Sequence, residues 1–425
     1  MDKNRRIAFQ VLLEVEEKGA YSNISLNRHL KDQTDTDPAF IRELVYGVIK
    51  NKYLLDWHLK KFIKTGFKKL KARDIVLLRI GAYQILFMDS VPSYAAVSET
   101  VGLAKKFSRG KEGFINGVLR NLERNRENLT LPSTEDHTEY ISVRYSCEKW
   151  IAELITDIYG FEGACAFMEK INDTPELSIR VNLLKNSRDE LREILKKEGY
   201  EARDSVLSSR ALTVSGTGIL ESRAFREGRF SVQDQSSVLC ADSVKAEPGM
   251  KVLDMCAAPG GKTAAIAEMM DNRGEITAFD IYEHKLKLMD ELMARNGITI
   301  VKTALGDGRE FREELKGQFD RVLSDVPCSG LGVMGRKPEL KYRKEYSMKE
   351  LTDIQRAILN NASEYVKPGG MLIYSTCTVN PMENRDMTLS FIEGHPGFRK
   401  DEELCLDPVE TGSDGFYICR FIREA

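Results

Sequence analysis

The sequence predicts a multidomain chain: an all-α N-terminal domain, a small α+β unit, and a C-terminal α/β domain on a doubly wound parallel sheet. Three observations carry this. Through residues 1–130 apolar residues recur at three-and-four spacing, with no strand-like alternation. The polar stretch Arg124–Thr138 (RNRENLTLPSTEDHT) then interrupts the pattern and reads as a linker. From Ser231 onward short apolar runs alternate with helical segments, the rhythm of successive β–α units. The expected boundaries are 1–130, 131–230 and 231–425.

Taken in order, Ile7–Val15 opens the chain as an amphipathic helix, because Glu14, Glu16 and Glu17 break its apolar run and exclude a signal peptide. Phe40–Ile49, Ile75–Leu86 and Tyr94–Lys105 are further helices, with breaks at Gly19, Asp35–Pro38 and Ser90–Pro92. In the middle unit, Trp150–Lys170 reads as helix and Leu177–Leu184 as strand. Ser187–Gly199 follows as helix and Ala211–Val214 as strand. In the last domain, strands are expected at Lys251–Asp254, Glu275–Phe279, Thr299–Leu305, Arg321–Ser324 and Met371–Tyr374. Helices fall between them at Thr263–Met270, His284–Asn296 and Ser347–Val366, and the tail Gly415–Ile422 (GFYICRFI) reads as an edge strand.

Composition narrows the classes. With 42% hydrophobic and 30% charged residues the chain is globular, and no apolar run approaches the length of about 18 residues that a membrane span needs. The eight cysteines form no CxxC pair, so no metal is expected, and a reduced, cytoplasmic setting is the default. Residues 1–130 carry 24 basic and 15 acidic residues against 39 and 50 in the remainder. A basic module on an acidic body suits a polyanionic partner, although on charge alone the surface lysines of a small helical domain suffice as the explanation.

The segment Lys251–Thr263 (KVLDMCAAPGGKT) is a strand, a small-residue loop and a helix start, which aims backbone N–H groups at a ligand. A phosphate-binding GxxxxGK[ST] loop fails here, since Cys256 replaces the first glycine and Pro259 removes a donor, which disfavours a nucleotidase. The dinucleotide GxGxxG is absent too. Asp280 and Asp307 end the next two strands. Singly each is an ordinary turn residue; together they suit ribose, adenine and a sulfonium centre, and they repel a triphosphate.

FDRVLSDVPCSG puts Asp325 and Cys328 after the fourth strand, and MLIYSTCTVNPMEN puts Cys377 after the fifth. Either thiol alone reads as buried filler. Two thiols with a carboxylate at strand ends read as chemistry. A thiolate adding to cytosine C6 makes C5 nucleophilic toward an electrophilic methyl, while an acid supports N3 and a base later removes the C5 proton. A thiol with pKa about 8.5 is mostly protonated at neutral pH, so the site must favour the thiolate.

CAAPGGKT, SDVPCSG and YSTCTVNPMEN resemble the Sun family of RNA cytosine-C5 methyltransferases. The resemblance implies an S-adenosylmethionine loop at Cys256, Ala257, Ala258, Pro259, Gly260, Gly261 and Lys262. It implies a ribose acid at Asp280, an adenine-side acid at Asp307, and at Asp325 an acid near the cofactor and pyrimidine N3. It makes Cys377, in the TC motif, the nucleophile and gives Cys328, in the PC motif, a part in product release. DNA cytosine methyltransferases use the PC cysteine as nucleophile instead, and spacing alone does not separate the two roles. SVQDQSS (231–237) and Arg180–Val181–Asn182 also look like family elements, although Gln233–Asp234–Gln235 is equally a helix cap and first turn.

The N-terminal part is similar to the helical RNA-binding domain of the antitermination factor NusB, through Gly19–Ser22, LVYGVIKNK (44–52), LRIGAYQILFMD (78–89) and FINGVLRN (114–121). Such a domain fused to a Rossmann-like methyltransferase is the pattern of bacterial enzymes acting on 16S ribosomal RNA at cytosine 967. That implies a single-stranded or flipped target base and a monomer. The loop Arg336–Tyr346 (RKPELKYRKEY), with five basic residues beside Tyr342 and Tyr346, is a candidate to track RNA backbone and stack a base, or else a solvated approach to the next helix. Two other classes stay open from the residues: a non-catalytic RNA-binding adaptor, against which the intact cysteines and acids speak, and an amino-methyltransferase, whose acid–Pro–Pro–aromatic motif is replaced by DVPC.

Overall fold

The computed structural model describes every residue except Met1, Asp32, Thr65, Thr174, Pro175, Thr217 and Tyr346. The chain divides into two compact units: Met1–Asn172 with Lys337–Lys344, and Asp173–Arg336 with Glu345–Ala425.

The first unit is helical, built from Lys3–Lys18, Ser22–Leu30, Pro38–Lys50, Lys52–Lys60, Ala72–Phe87, Ser93–Phe107, Glu112–Arg124, His137–Tyr145 and Lys149–Asn172. Local chemistry sets the ends. Asp2 caps the first helix by accepting from Arg5 N at 2.7 Å, and Gly19 closes it with φ 62°. Asp37 caps Pro38–Lys50, with Pro38 in the first turn. Three helices are tied by one buried guanidinium: Arg79 forks onto Asp56 at 2.8 Å twice and reaches Glu16 at 3.0 Å. The polar stretch after Arg124 holds only a short 3-10 turn, Arg126–Asn128, before Asp136 caps the helix His137–Tyr145.

Part of the loop offered as a candidate to track RNA is packed inward. Pro338–Tyr342 forms a 3-10 turn that packs into the first unit. Lys341 is fully buried, donating to Lys50 O at 3.0 Å and Asn172 Oδ1 at 2.7 Å. The Tyr342 hydroxyl donates to Ile49 O at 2.5 Å, and its ring meets Tyr53 edge-on. The Lys341 side chain is not available to RNA, Tyr342 is half-buried, and Tyr346 lies outside the described residues. Basic composition suggested a solvated segment; burial of Lys341 and the hydrogen bond of the Tyr342 hydroxyl decide otherwise for this turn.

The second unit holds two sheets. Strands β1 (Leu177–Val181), β2 (Glu201–Asp204), β3 (Ala211–Ser215) and β4 (Phe230–Val232) form an antiparallel sheet ordered β2-β3-β1-β4. The helix Arg188–Lys197, with a capping box from Ser187 and Glu190, packs on its apolar face. The larger sheet comprises β5 (Lys251–Asp254), β6 (Glu275–Asp280), β7 (Val301–Leu305), β8 (Phe319–Asp325), β9 (Val366–Thr376), β10 (Phe398–Leu406) and β11 (Phe416–Arg423). Its order is β10-β11-β9-β8-β5-β6-β7, with β9, β8, β5, β6 and β7 parallel and the last two strands antiparallel. This is a Rossmann-like sheet. The chain winds from β5 through β6 to β7, then crosses back to β8 and β9, so the carboxyl ends of β5 and β8 flank a switch-point crevice. The tail strand β11 is interior rather than an edge. The edge is β10, whose sequence FRKDEELCL conceals a strand under charges that suit an exposed sheet margin.

Candidate active site

The apolar residues of β5 end at Asp254, and the chain turns through Met255–Gly260 into the helix Gly261–Met269. The turn is held by Ala257 N donating to Phe279 O at 2.8 Å and by Gly260 N donating to Ala257 O at 2.7 Å. Gly260 has φ 94°, and a Cβ there would press Met289 Cγ at 3.1 Å, so both backbone angle and space require glycine. Asp254 is buried. One carboxylate oxygen accepts from Thr263 Oγ1 at 2.7 Å. Burial, reinforced by the charge of Asp325, pushes its carboxyl up to about 7.

Asp280, at the end of β6, accepts from Tyr282 N at 3.0 Å and from Ala258 N at 3.3 Å, which joins it to the β5 loop. Asp307, beyond β7, is forked by Arg309, with Nε to the two oxygens at 2.9 and 3.0 Å; these bonds hold its carboxyl below the usual range. Cys256 lies within reach of all these acids. Burial first, and then the charges of Asp254, Asp325, Asp280 and Asp307, push its thiol up. The loop therefore sits in an acidic crevice, which suits a hydroxyl-bearing nucleoside and a cation and opposes phosphates. S-adenosylmethionine fits that donor set: carboxylates at two neighbouring strand ends, a tight loop of small residues and the buried carboxylate of Asp254 beneath it.

Across the switch point, Asp325 ends β8. One oxygen accepts from Lys262 Nζ at 2.8 Å and the other from Ser375 Oγ at 2.8 Å. Lys262 also lies over the Phe416 ring. Although burial opposes its charge, Asp325, Cys240 and Cys377 together hold the ammonium strongly protonated. Cys328 and Cys377 come together, Sγ to Sγ at 3.3 Å. The hydrogen bond with Cys377, then burial, pushes the Cys328 thiol well up, and Glu383 adds to the effect. Cys377 is neither sealed in the core nor fully exposed.

Both thiol loops converge on a residue that sequence reasoning passed over. Glu383 is fully buried. It accepts from Ser329 N at 2.7 Å, Ser329 Oγ, Gln355 Nε2 at 2.9 Å and Asn380 Nδ2 at 3.1 Å. The first two belong to the Cys328 loop and the last to the Cys377 loop. Gly332 N donates to Cys377 O at 3.2 Å, and a Cβ on Gly332 would meet Gly415 O at 2.0 Å. The available signal was the NPMEN tail of the second cysteine motif, where a carboxylate stands beside two asparagines.

Thus the loop Cys256–Lys262, Asp280, Asp307, Asp325, Cys328 and Cys377 line the carboxyl ends of five neighbouring parallel strands. Known proteins are similar to this chain. Residues 242–422 match the family described as "16S rRNA methyltransferase RsmB/F", residues 2–124 the NusB family, and residues 148–219 the RsmF/B-like ferredoxin-like domain. A Bacillus subtilis (strain 168) protein named "Probable ribosomal RNA small subunit methyltransferase B" is 37% identical, covering 98% of this chain and 97% of its own. A Klebsiella pneumoniae (MGH 78578) protein named "Ribosomal RNA small subunit methyltransferase B" is 33% identical, covering 100% of this chain and 99% of its own. The crystal structure of the protein PH0851 superposes with a TM-score of 0.83 at 27% identity, over 99% of this chain and 98% of that one.

Proposed function

The chain belongs to the RsmB/F family of 16S rRNA methyltransferases, and from that premise we propose that it methylates C5 of a cytosine in 16S ribosomal RNA, by resemblance cytosine 967, through a covalent bond from Cys377 to C6. When bound, S-adenosylmethionine supplies the electrophilic methyl group, held by the loop Cys256–Lys262 with Asp280 toward the ribose and Asp307 toward the adenine. The observation that carries this reading is the meeting of two thiols at 3.3 Å beside the Lys262–Asp325 pair.

The chain's own groups account for the chemistry. The Cys377 sulfur adds to C6, and the electrons displaced from C5=C6 move toward N3. Asp325, hydrogen-bonded to Lys262 Nζ, hands N3 the proton given up by the Cys377 thiol as charge builds there, and takes it back once C5 is methylated. C5 then takes the methyl group. The C5 proton passes to the Cys328 sulfur as the Cys328 thiol proton passes to the departing Cys377 sulfur; the C5–H electrons restore the double bond and the C6–S electrons return to Cys377, a release step that we assign to Cys328. The field divides the two thiols in the same sense. Lys262 attracts negative charge on the Cys377 sulfur, whereas the hydrogen bond to Cys377, then burial, keep Cys328 protonated until release, with Glu383 adding to them. The basic residues of 1–130 supply phosphate contacts, and the enzyme works as a single chain in the cytoplasm, where its substrate is made.

The test is a pair of variants assayed with labelled cofactor on 16S ribosomal RNA. Cys377→Ser abolishes methyl transfer yet still binds S-adenosylmethionine. Cys328→Ser accumulates a covalent RNA–protein adduct on denaturing gels. Undiminished transfer by Cys377→Ser, or an adduct formed by that variant, removes Cys377 from its role.

A further inference from the structure

Two motifs, Arg180–Val181–Asn182 and SVQDQSS, are not used by the chemistry above, yet both touch the elements that frame the cofactor loop. Arg180 projects from β1 and is fully buried, so it contacts no RNA. Its Nε and one terminal nitrogen fork onto Glu268 at 3.0 and 2.8 Å, within the helix Gly261–Met269. The other terminal nitrogen donates to Gly261 O at 2.7 Å and to Gln233 Oε1. Gln233, just past β4, lies with its amide against Gly261; a Cβ built there would be 3.5 Å from Gln233 Cδ. Gly261 is the residue that precedes Lys262, so its peptide plane sets where Lys262 leaves the backbone.

The same stretch holds the neighbouring helix, Glu283–Asn296, which follows Asp280. Asn182 Nδ2 donates to Asn296 O at 2.9 Å, and Lys185 Nζ to Arg295 O at 2.7 Å. One short segment of the four-stranded sheet therefore fixes the start of the first helix and the end of the second. Both helices begin at the cofactor crevice.

We propose that Arg180 and Gln233 are positioning residues for S-adenosylmethionine, making the four-stranded sheet the rear wall of the cofactor site. This rests on the reading of Cys256–Lys262 as the cofactor loop. Arg180 fixes the Gly261–Lys262 peptide through its carbonyl, and Gln233 holds the guanidinium in the one orientation that serves Glu268 and Gly261 together.

The experiment is calorimetric titration of the full chain with S-adenosylmethionine, alongside thermal melting and kinetics at varied cofactor concentration. Gln233→Leu keeps the volume and removes the acceptor. Arg180→Lys keeps the charge and loses the fork. Each raises the cofactor Kd by about tenfold, and the loss appears in KM for S-adenosylmethionine rather than in kcat. Gln233→Glu, which keeps an acceptor oxygen, restores the Kd to within about twofold of the unaltered protein. A purely structural role would lower the melting temperature and leave the Kd alone; an unchanged Kd in Gln233→Leu overturns the proposal, and that variant decides even if Arg180→Lys fails to fold. Absence of binding by the unaltered protein would refute the cofactor reading itself.

Discussion

A buried carboxylate with four donors is a constraint on everything bonded to it. Glu383 collects the Ser329 amide and hydroxyl, the Gln355 amide and the Asn380 amide, and so sets the distance between the loops that carry Cys328 and Cys377. Glu383→Gln turns one acceptor into an NH2 that faces donors, leaving buried groups unpaired at about 1–3 kcal/mol each. Expected are a lower urea midpoint and a fall in methyl transfer of tenfold or more, on the order of 1.4 kcal/mol in the barrier, with cofactor Kd unchanged. Equal transfer rates would show that the loops hold their spacing without it. The candidate residues themselves were legible in the sequence, because a residue placed just after a parallel strand must open onto the crevice. Glu383 and Ser375 were not, and Arg180 was legible only as part of a resembling motif, not in its bonds. Their importance lies in partners 28 to 88 residues away along the chain, which no local pattern encodes.

At the scale of elements, periodicity found the longer helices and the five parallel strands, but passed over shorter helices such as Ser22–Leu30, Lys52–Lys60 and Arg385–Gly394. It failed where charge masks a strand, as in β10, and where it made a segment seem solvated, as in Pro338–Tyr342. The latter has a measurable consequence. Burial, with Lys50 nearby, pushes the Lys341 amine down to about 7, Cys147 partly opposing, from an ordinary value of 10.5. Between those values the unfolded chain holds a proton that the native chain lacks, so this group makes stability rise with pH from about 7 toward 10 and lowers it as pH falls through the window. Lys341→Met removes the titration. Urea melts from pH 7 to 9 should show the variant gaining on the unaltered protein most at pH 7 and least at pH 9; a pH-independent difference would mean that the amine titrates normally.

For the whole molecule, the order of domains was readable because each carries its own periodicity, whereas the return of Lys337–Lys344 to the first unit was not. That segment leaves the catalytic unit, spends its hydrogen bonds on the first unit and goes back: Lys341 on Lys50 and Asn172, Tyr342 on Ile49, and the Arg343 carbonyl on Trp150 Nε1 at 2.7 Å. A fragment beginning at Asp173 therefore loses every one of those partners at a stretch only 8 residues beyond Cys328–Ser329. It should melt at a lower temperature than the full chain, bind a hydrophobic dye, and transfer methyl groups slowly even to a short RNA that needs no N-terminal anchoring. Supplying residues 1–172 in trans should recover part of the loss, and in the fragment with Lys341→Ser and Tyr342→Ser the dye signal should fall. If the fragment melts and turns over like the full chain on the short RNA, Lys337–Lys344 does not depend on its hydrogen-bond partners in residues 1–172.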